Sequence, residues 1–342
     1  MDPLSQGVLG ATWALVGDRS GNLKRAAWMG ALGGVLADAD ILIRSSSDSL
    51  LGLDFHRHFT HSLFFIPFGG LAAAFLIMAL TWGRIPWREA LLPATLGYAS
   101  HGLLDGCTSY GTHLLWPFSD ARISWSVISI IDPLYTGVLL AGAFLAYRTG
   151  RKKPVWIAAG ISMLYLGLGA VQSHRAGAEL ERLAESRGHV VERMDVRPSF
   201  GNNILFRAYY EAKGAYHVDA IRVGWFSAPK VYPGGTIAIL DREAFAKEFA
   251  LSDRKRRDIE RFAHFSDDYL VRHPRHPSVI GDFRYAAVPY AIDPMWGIDV
   301  AATPADAHVL FQHLDRSGTP EGRSGFWRML RGKPLRPPEN AP

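Results

Sequence analysis

Six apolar stretches separated by short polar connections fill the first half of the chain, at about 3–17, 26–43, 62–82, 89–104, 132–147 and 154–172. Only 62–82 and 154–172 approach the ~20 residues that an α-helix needs to cross a bilayer. The segment at 132–147 is shorter. The first, second and fourth carry glycine, alanine and polar residues, and read as short spans, helices buried in a bundle, or re-entrant pieces. Gly30, Gly33, Gly34, Gly69 and Gly70 would let such helices approach closely in lipid.

After residue 173 the pattern changes. "LERLAESRG" reads as the end of a helix. "HVVERMDVRPS", "NNILFRAYYEAKG", "AYHVDAIRVGWFS" and "GGTIAILD" carry β-branched and aromatic residues between Gly, Pro and Asn, and read as strands of an antiparallel sheet. "DREAFAKEFALSDRKRRDIERFAHFSDDYL" is an amphipathic helical stretch with a break near Ser252-Asp253, and "SVIGDFRYAAVPY" is a further strand. The expected fold is an α-helical membrane bundle of about six helices over 1–173, then a smaller extramembrane α+β domain over 174–317, then a loose tail over 318–342.

Composition supports the split. Hydrophobic residues make up 48% of the 342, an ordinary average that conceals an apolar half and a charged half. The net charge of +5 includes no long basic run, so no nucleic-acid surface is indicated, and no protein partner can be inferred. Cys107 is the single cysteine, which excludes an intrachain disulfide and a cysteine-based zinc site. The N-terminus has no basic region ahead of its apolar stretch and does not read as a cleaved signal peptide.

Charge also sets an orientation. The connections at 18–25, 83–88 and 148–153 hold nine basic residues, whereas those at 44–61 and 105–131 hold only Arg44, Arg57 and Arg122. The positive-inside rule puts the first set in the cytoplasm. If all six stretches cross, both termini lie outside, and so do Asp38, Asp40, His56, His58, His61, His101 and Asp105. The expected location is a bacterial-type inner membrane, with the charged cluster and the C-terminal domain on the periplasmic side.

Ionisable groups at the level of a membrane lip are costly and usually functional. "HGLLDG" places His101 and Asp105 four apart on one helix face, able to grip one metal ion. "HRHFTHS" brings His56 and His61, with Arg57 and Thr60 between them. "LADADIL" brings Asp38 and Asp40. Each group alone has a bland alternative: a satisfied hydrogen bond, a pH-sensitive loop, a capped turn. Together, Asp38, Asp40, His56, His61, His101 and Asp105 form a mixed nitrogen and oxygen ligand set without cysteine, as in catalytic centres that keep a position open for water. The expected cofactor is a divalent metal, zinc before others, with room for more than one ion. Arg57 could pair with a phosphate, and with Thr60 it is nominated for a catalytic role. Thr108, Ser109 and Tyr110 could line the same cavity. Asp132 could orient a ligand histidine, but ahead of a proline it reads first as a helix N-cap. Trp116, Phe118, Trp125 and Tyr135 read as an interfacial aromatic belt.

The motifs "MDPLSQGVLG", "DAD", "HRHFTHS", "HGLLD" and "TSYGTHLLWPFSDARISWSVISIIDPLY", in that order over about 1–172, resemble the YdjM-like family of membrane-bound proteins regarded as metal-dependent hydrolases. "RPSFGNNILFRAYYEAKGAYHVDAIRVGW" resembles the C-terminal extension of its longer members. The family is in turn similar, in its spaced Asp, His and His-x-x-x-Asp groups, to zinc-dependent phospholipase C and related nucleases. Its usual Asp-Pro-x-Thr-His opening has Gln6 here in place of the histidine. That implies one metal lost, compensation by Asp2, or an altered activity. Two functions follow. One is a membrane-bound hydrolase acting on a lipid or phosphoester at the membrane surface. The other is a non-catalytic membrane protein using the cluster to bind metal or hold its fold.

Overall fold

The computed structural model describes residues 1–314 and 320–335. The chain forms two compact units. The first comprises Met1–Leu42, Phe55–Val171 and Phe200–Asn203; the second comprises Ile43–Asp54, Gln172–Ser199 and Ile204–Pro342.

The first unit is built from α1 (Pro3–Gly17), α2 (Leu23–Leu36), α4 (Ile66–Leu80), α5 (Trp87–Cys107), α6 (Pro133–Thr149) and the start of α7 (Lys153–Ser186), with all but the last residue of α3 (Leu51–Phe55) in the second unit. Helix starts follow local chemistry. Asp2 accepts from Ser5 N and precedes Pro3, Asn22 accepts from Arg25 N, and Asp132 accepts from Leu134 N and Tyr135 N ahead of Pro133. These are side-chain caps for orphan N–H groups, with proline where no donor is needed. The Asp132 cap expected from sequence is therefore present.

Small residues set how closely the helices lie. A Cβ on Gly97 of α5 would stand 2.1 Å from the carbonyl oxygen of Gly30, and one on Gly34 would stand 2.6 Å from that of Gln6. Both are far inside van der Waals contact, so α1, α2 and α5 meet backbone to backbone, as glycine allows. The helices alternate in direction, and the charges sort accordingly. At one end Arg25 pairs with Glu89 at 3.1 Å, Lys152 bonds the carbonyl of Asp18, and Lys24 lies 4.7 Å over the Tyr147 ring. The His/Asp groups stand at the other ends of α2, α5 and the α3–α4 connection.

Among the described residues, two helical segments are long and apolar enough to cross a membrane, Leu63–Leu80 and Lys153–Ser186. Their outward faces are apolar: Phe68, Phe75 and Leu80 on α4, and Trp156, Leu164 and Val171 on α7, are all more than 40% exposed. These are the two stretches whose length already approached a full span in the sequence; the other four are shorter or more polar. At 14 residues, α2 extends only about 21 Å, short of a ~30 Å hydrocarbon core. α5 is long enough at 21 residues but carries Arg88, Glu89, His101 and Asp105.

The second unit holds two antiparallel four-stranded sheets, where one was expected. The first has the order β1 (Arg193–Pro198), β2 (Leu205–Ala212), β3 (Ala215–Arg222), β4 (Lys230–Ala238), and these strands match the four predicted segments. β2 and β3 join through Lys213 and Gly214, both at positive φ (54° and 72°), the two-residue hairpin geometry that suits right-twisted strands. β2 is buried on both faces. Phe206, Ala208 and Tyr210 meet Ala176, Leu180 and Ala184 of α7, while Tyr209 packs with Tyr216, Tyr269 and Phe283 on the other side. The second sheet is β5 (Leu270–Arg272), β6 (Val279–Asp282), β7 (Trp296–Asp299) and β8 (Leu310–His313).

The amphipathic stretch is two helices, α8 (Arg242–Glu248) and α9 (Asp253–Phe265), broken where Ser252 caps α9. Part of the expected loose tail is α10 (Pro320–Leu330), held because Met329 enters a core with Leu205, Ala220 and Tyr232. The remainder of that expectation, at 318–319 and 336–342, lies outside the described residues.

Candidate metal centre

Three chain segments supply the centre. α2 runs into a 3-10 turn (Ala37–Leu42) that carries Asp38 and Asp40. A second 3-10 turn (Phe59–His61) ends on His61. The last two turns of α5 carry His101 and Asp105. Gly102 brings the second and third together, since a Cβ there would stand 2.2 Å from the carbonyl oxygen of His61. The turn can therefore lie directly on α5, with the His61 and His101 rings 4.6 Å apart.

Asp38, His61, His101 and Asp105 point ligand atoms at one spot. His61 Nε2 is 3.4 Å from both Asp38 Oδ1 and Asp105 Oδ2. His101 Nε2 is 3.3 Å from Asp38 Oδ1 and 3.6 Å from Asp105 Oδ2. These separations match the edge of a tetrahedron whose centre-to-ligand bonds are about 2.0–2.1 Å, which is about 3.3–3.4 Å. His61 Nε2, His101 Nε2 and Asp105 Oδ2 are buried with no hydrogen-bond partner among the described residues. Buried polar atoms are ordinarily satisfied, so convergent orphans of this kind fit a divalent cation of the zinc class.

The other atom of each ligand is already engaged. His101 Nδ1 faces the carbonyl oxygen of Gly34 at 2.5 Å and donates to it, which leaves Nε2 with a lone pair. His61 Nδ1 is 2.9 Å from Thr60 Oγ1, whose hydroxyl donates to Asp40 Oδ2 at 3.0 Å. This proton chain fixes the same tautomer on His61. Asp105 Oδ1 accepts from Gln6 Nε2 at 2.9 Å and from the Met1 amine, leaving Oδ2 for the centre. Partners of this sort aim ligands and raise their basicity. Burial by itself lowers the pKa of His61, but Asp105, Asp38 and Asp40 outweigh it and push the imidazole up to about 10. Three carboxylates thus call for a positive charge at this spot, and a metal would compete with that proton for Nε2.

The remaining predicted residues lie around this core. Asp40 is 3% exposed. It accepts from Arg57 N at 2.9 Å and from Thr60, and faces His56 Nδ1 at 3.0 Å, so both its oxygens have partners. With Asp38 and His56 it forms a second, overlapping group of metal-capable atoms. Thr60 touches both His61 and Asp40 through its hydroxyl. Arg57 is 5% exposed; its Nε stands 3.2 Å from Asp105 Oδ2, its NH1 donates to Thr108 Oγ1 at 3.0 Å, and its guanidinium lies 4.7 Å from the Tyr110 ring centre. Its φ of 61° is in the left-handed region, held by hydrogen bonds from its N to Asp40 and from His113 N to its carbonyl. Conformations of this kind concentrate at functional sites. His58 belongs to neither metal-capable group and meets the His113 ring at a tilt, with centroids 4.7 Å apart.

Sequence reasoning missed the backbone and aromatic supports. The Gly34 carbonyl, the Met1 amine, and the Tyr98 hydroxyl that donates to the Thr60 carbonyl at 2.6 Å carry no motif. The glycine-rich run of α2 was their nearest trace. In the aromatic belt, Phe118 and Trp125 are exposed as expected, but Tyr135 is 2% exposed and packs with Leu9, Leu104 and Leu139.

Over 110 residues the chain is 34% identical to the inner membrane protein YbcI of Escherichia coli (strain K12), a match covering 31% of this chain and 62% of that protein. The chain thus spans less than two thirds of that relative's length. No solved structure matches. The family model for YdjM inner membrane proteins matches residues 1–176, more than half of the 342 and including every residue of the centre. By that match the chain belongs to the YdjM inner membrane protein family.

Proposed function

We propose that the protein is a membrane-bound, metal-dependent hydrolase of ester or phosphoester bonds. The observation that carries this reading is the convergence of two imidazole nitrogens and two carboxylate oxygens, with His-to-Asp separations of 3.3–3.6 Å, beside Arg57. Asp38, His61, His101 and Asp105 would hold the ion. When bound, it supplies Lewis acidity toward an acyl or phosphoryl oxygen and lowers the pKa of water. Thr60 and Asp40 keep the proton on His61 Nδ1, and the Gly34 carbonyl keeps that on His101 Nδ1. Gln6 holds Asp105 in register. Arg57 brings a permanent positive charge suited to a phosphate. The Asp38 side chain is 22% exposed while the other three are fully buried, so the centre opens to solvent on the Asp38 side.

Metal analysis of the purified protein, followed by a hydrolysis screen with lipid and soluble phosphoesters, tests the reading. About one equivalent of a transition metal, with turnover abolished by a chelator and restored by the metal, is expected. Metal-free protein, or turnover indifferent to chelation, would refute it. One observation favours a second reading: four protein ligands is the count of a closed structural site. In that case the ion holds the fold and no hydrolysis exists.

We also place the centre and the second unit on the periplasmic side. The support is the nine-to-three division of basic residues and the gathering of the basic connections at the far ends of the helices. An alkaline phosphatase fused after Pro342 is expected to be active, and a cytoplasm-only reporter silent. The opposite pattern reverses the orientation.

A further inference from the structure

The connection between α5 and α6 is tied to the metal centre on one side and to a membrane-competent helix on the other. Thr108 Oγ1 accepts from Arg57 NH1, and His113 N donates to the Arg57 carbonyl at 3.0 Å. Leu63 N, at the first residue of the apolar segment Leu63–Leu80, donates to the Leu114 carbonyl at 2.9 Å. Between these ties the loop projects Leu115, 46% exposed, and Phe118, 83% exposed.

Phe118 is not isolated. Its ring meets Phe64 edge-on at 5.9 Å, and Phe64 meets Phe68 at 5.8 Å. Phe64 and Phe68 belong to the apolar segment and are 46% and 54% exposed. One apolar surface therefore runs from the loop tip onto α4. A bare phenyl ring on a loop tip is unfavourable in water, and a contiguous exposed patch marks an interaction face. Phe64 lies within about 5 Å, one helical turn, of the end of that segment. A ring in contact with it shares its depth, the level at which aromatic side chains anchor membrane proteins. His61 lies two residues before the segment begins, so the centre sits at this same level.

We infer that the 108–126 loop is a lip seated in the bilayer, on which Phe118 and Leu115, with Phe64 and Phe68, receive the apolar part of a lipid whose head-group ester reaches the centre. The occupant is bilayer lipid, because the patch continues a segment able to span the membrane. This rests on the hydrolase reading for its substrate half only.

Two measurements test it. In a Cys107→Ala background, a fluorophore on Phe118→Cys in vesicles of phosphatidylethanolamine and phosphatidylglycerol should be quenched by acyl-brominated lipid and shielded from iodide. The same fluorophore on Asp120→Cys should be open to iodide. Iodide quenching at 118 without bromolipid quenching overturns the lip, whether or not hydrolysis is ever found. For the substrate half, Phe118→Ser should raise KM for a phospholipid in vesicles about tenfold, with kcat/KM for a soluble nitrophenyl phosphoester unchanged, and Phe118→Trp should restore the parent KM. Equal losses on both substrates overturn lipid docking. A parent without turnover refutes the hydrolase reading, and with it the substrate half, while the fluorophore still decides the lip.

Discussion

Replacing His101 by alanine is expected to lower metal affinity more than about 100-fold and to abolish hydrolysis while leaving the helical bundle assembled. Loss of an outer partner that merely orients a ligand costs about 10–100-fold, and His101 supplies a ligand atom itself. It is fully buried, with Nδ1 held by the Gly34 carbonyl and Nε2 facing Asp38 and Asp105. The bundle rests instead on glycine-mediated helix contacts and on apolar clusters such as Met29, Ala73, Ile77, Ala90 and Ala94. Leaving the Gly34 carbonyl unpaired costs about 1–3 kcal/mol, so the melting temperature should fall by only a few degrees. The structural reading expects something else: chelation of the parent alone should melt it at a much lower temperature, and no turnover exists to lose. Melting temperature and turnover measured on His101→Ala, with and without chelator on the parent, separate the two.

Asp105→Ala is expected to do more damage to the fold than His101→Ala. Asp105 is wholly buried and answers several groups at once: the Met1 amine, Gln6 Nε2, and Arg57 Nε at 3.2 Å. Removing the carboxylate strands the Arg57 guanidinium, itself 5% exposed, without its counter-charge. Breaking one side of a buried ion pair costs about 3–5 kcal/mol. Metal binding should vanish, and the protein should unfold at distinctly lower denaturant than His101→Ala. The double variant Asp105→Ala with Arg57→Met removes both charges and should recover much of the stability but none of the metal binding. Equal stability of the two single variants would show that Arg57 is not held by Asp105.

These expectations depend on a centre that was largely legible before its geometry was known. His101 and Asp105 share a face because they are four apart on a helix, and Asp38 and His61 stand at ends of the same charge-sorted set of connections. What periodicity could not show was the division of labour. Asp40 and Thr60 look like ligand and catalyst in a line of sequence. In three dimensions Asp40 receives Arg57 N and Thr60 and faces His56, so it belongs to the second metal-capable group and also to the hydrogen-bond chain that reaches His61 through Thr60. That distinction lives in hydrogen bonds between turns, which leave no spacing signature. The second sheet was illegible for a different reason. β5, β7 and β8 are only three or four residues long, too short to alternate visibly. The one hint was β2, "LFRAYYEA", whose apolar residues fall on both faces and so required a cover on each side.

The segment 43–54 has a consequence for the order of synthesis. It is made early and leads within two residues to His56, but it is grouped with the second unit. Asp48 and Asp54 are gripped by Arg261 at 2.9 and 2.5 Å, and Ser49 Oγ bonds the Val309 carbonyl and Phe311 N. Those partners follow more than 200 residues later. At about 5–20 residues per second, a ribosome needs roughly 10–50 s to reach them. For that interval the chain entering the His56–His61 turn has none of these holds, and a nascent chain stopped short of Arg261 never acquires them.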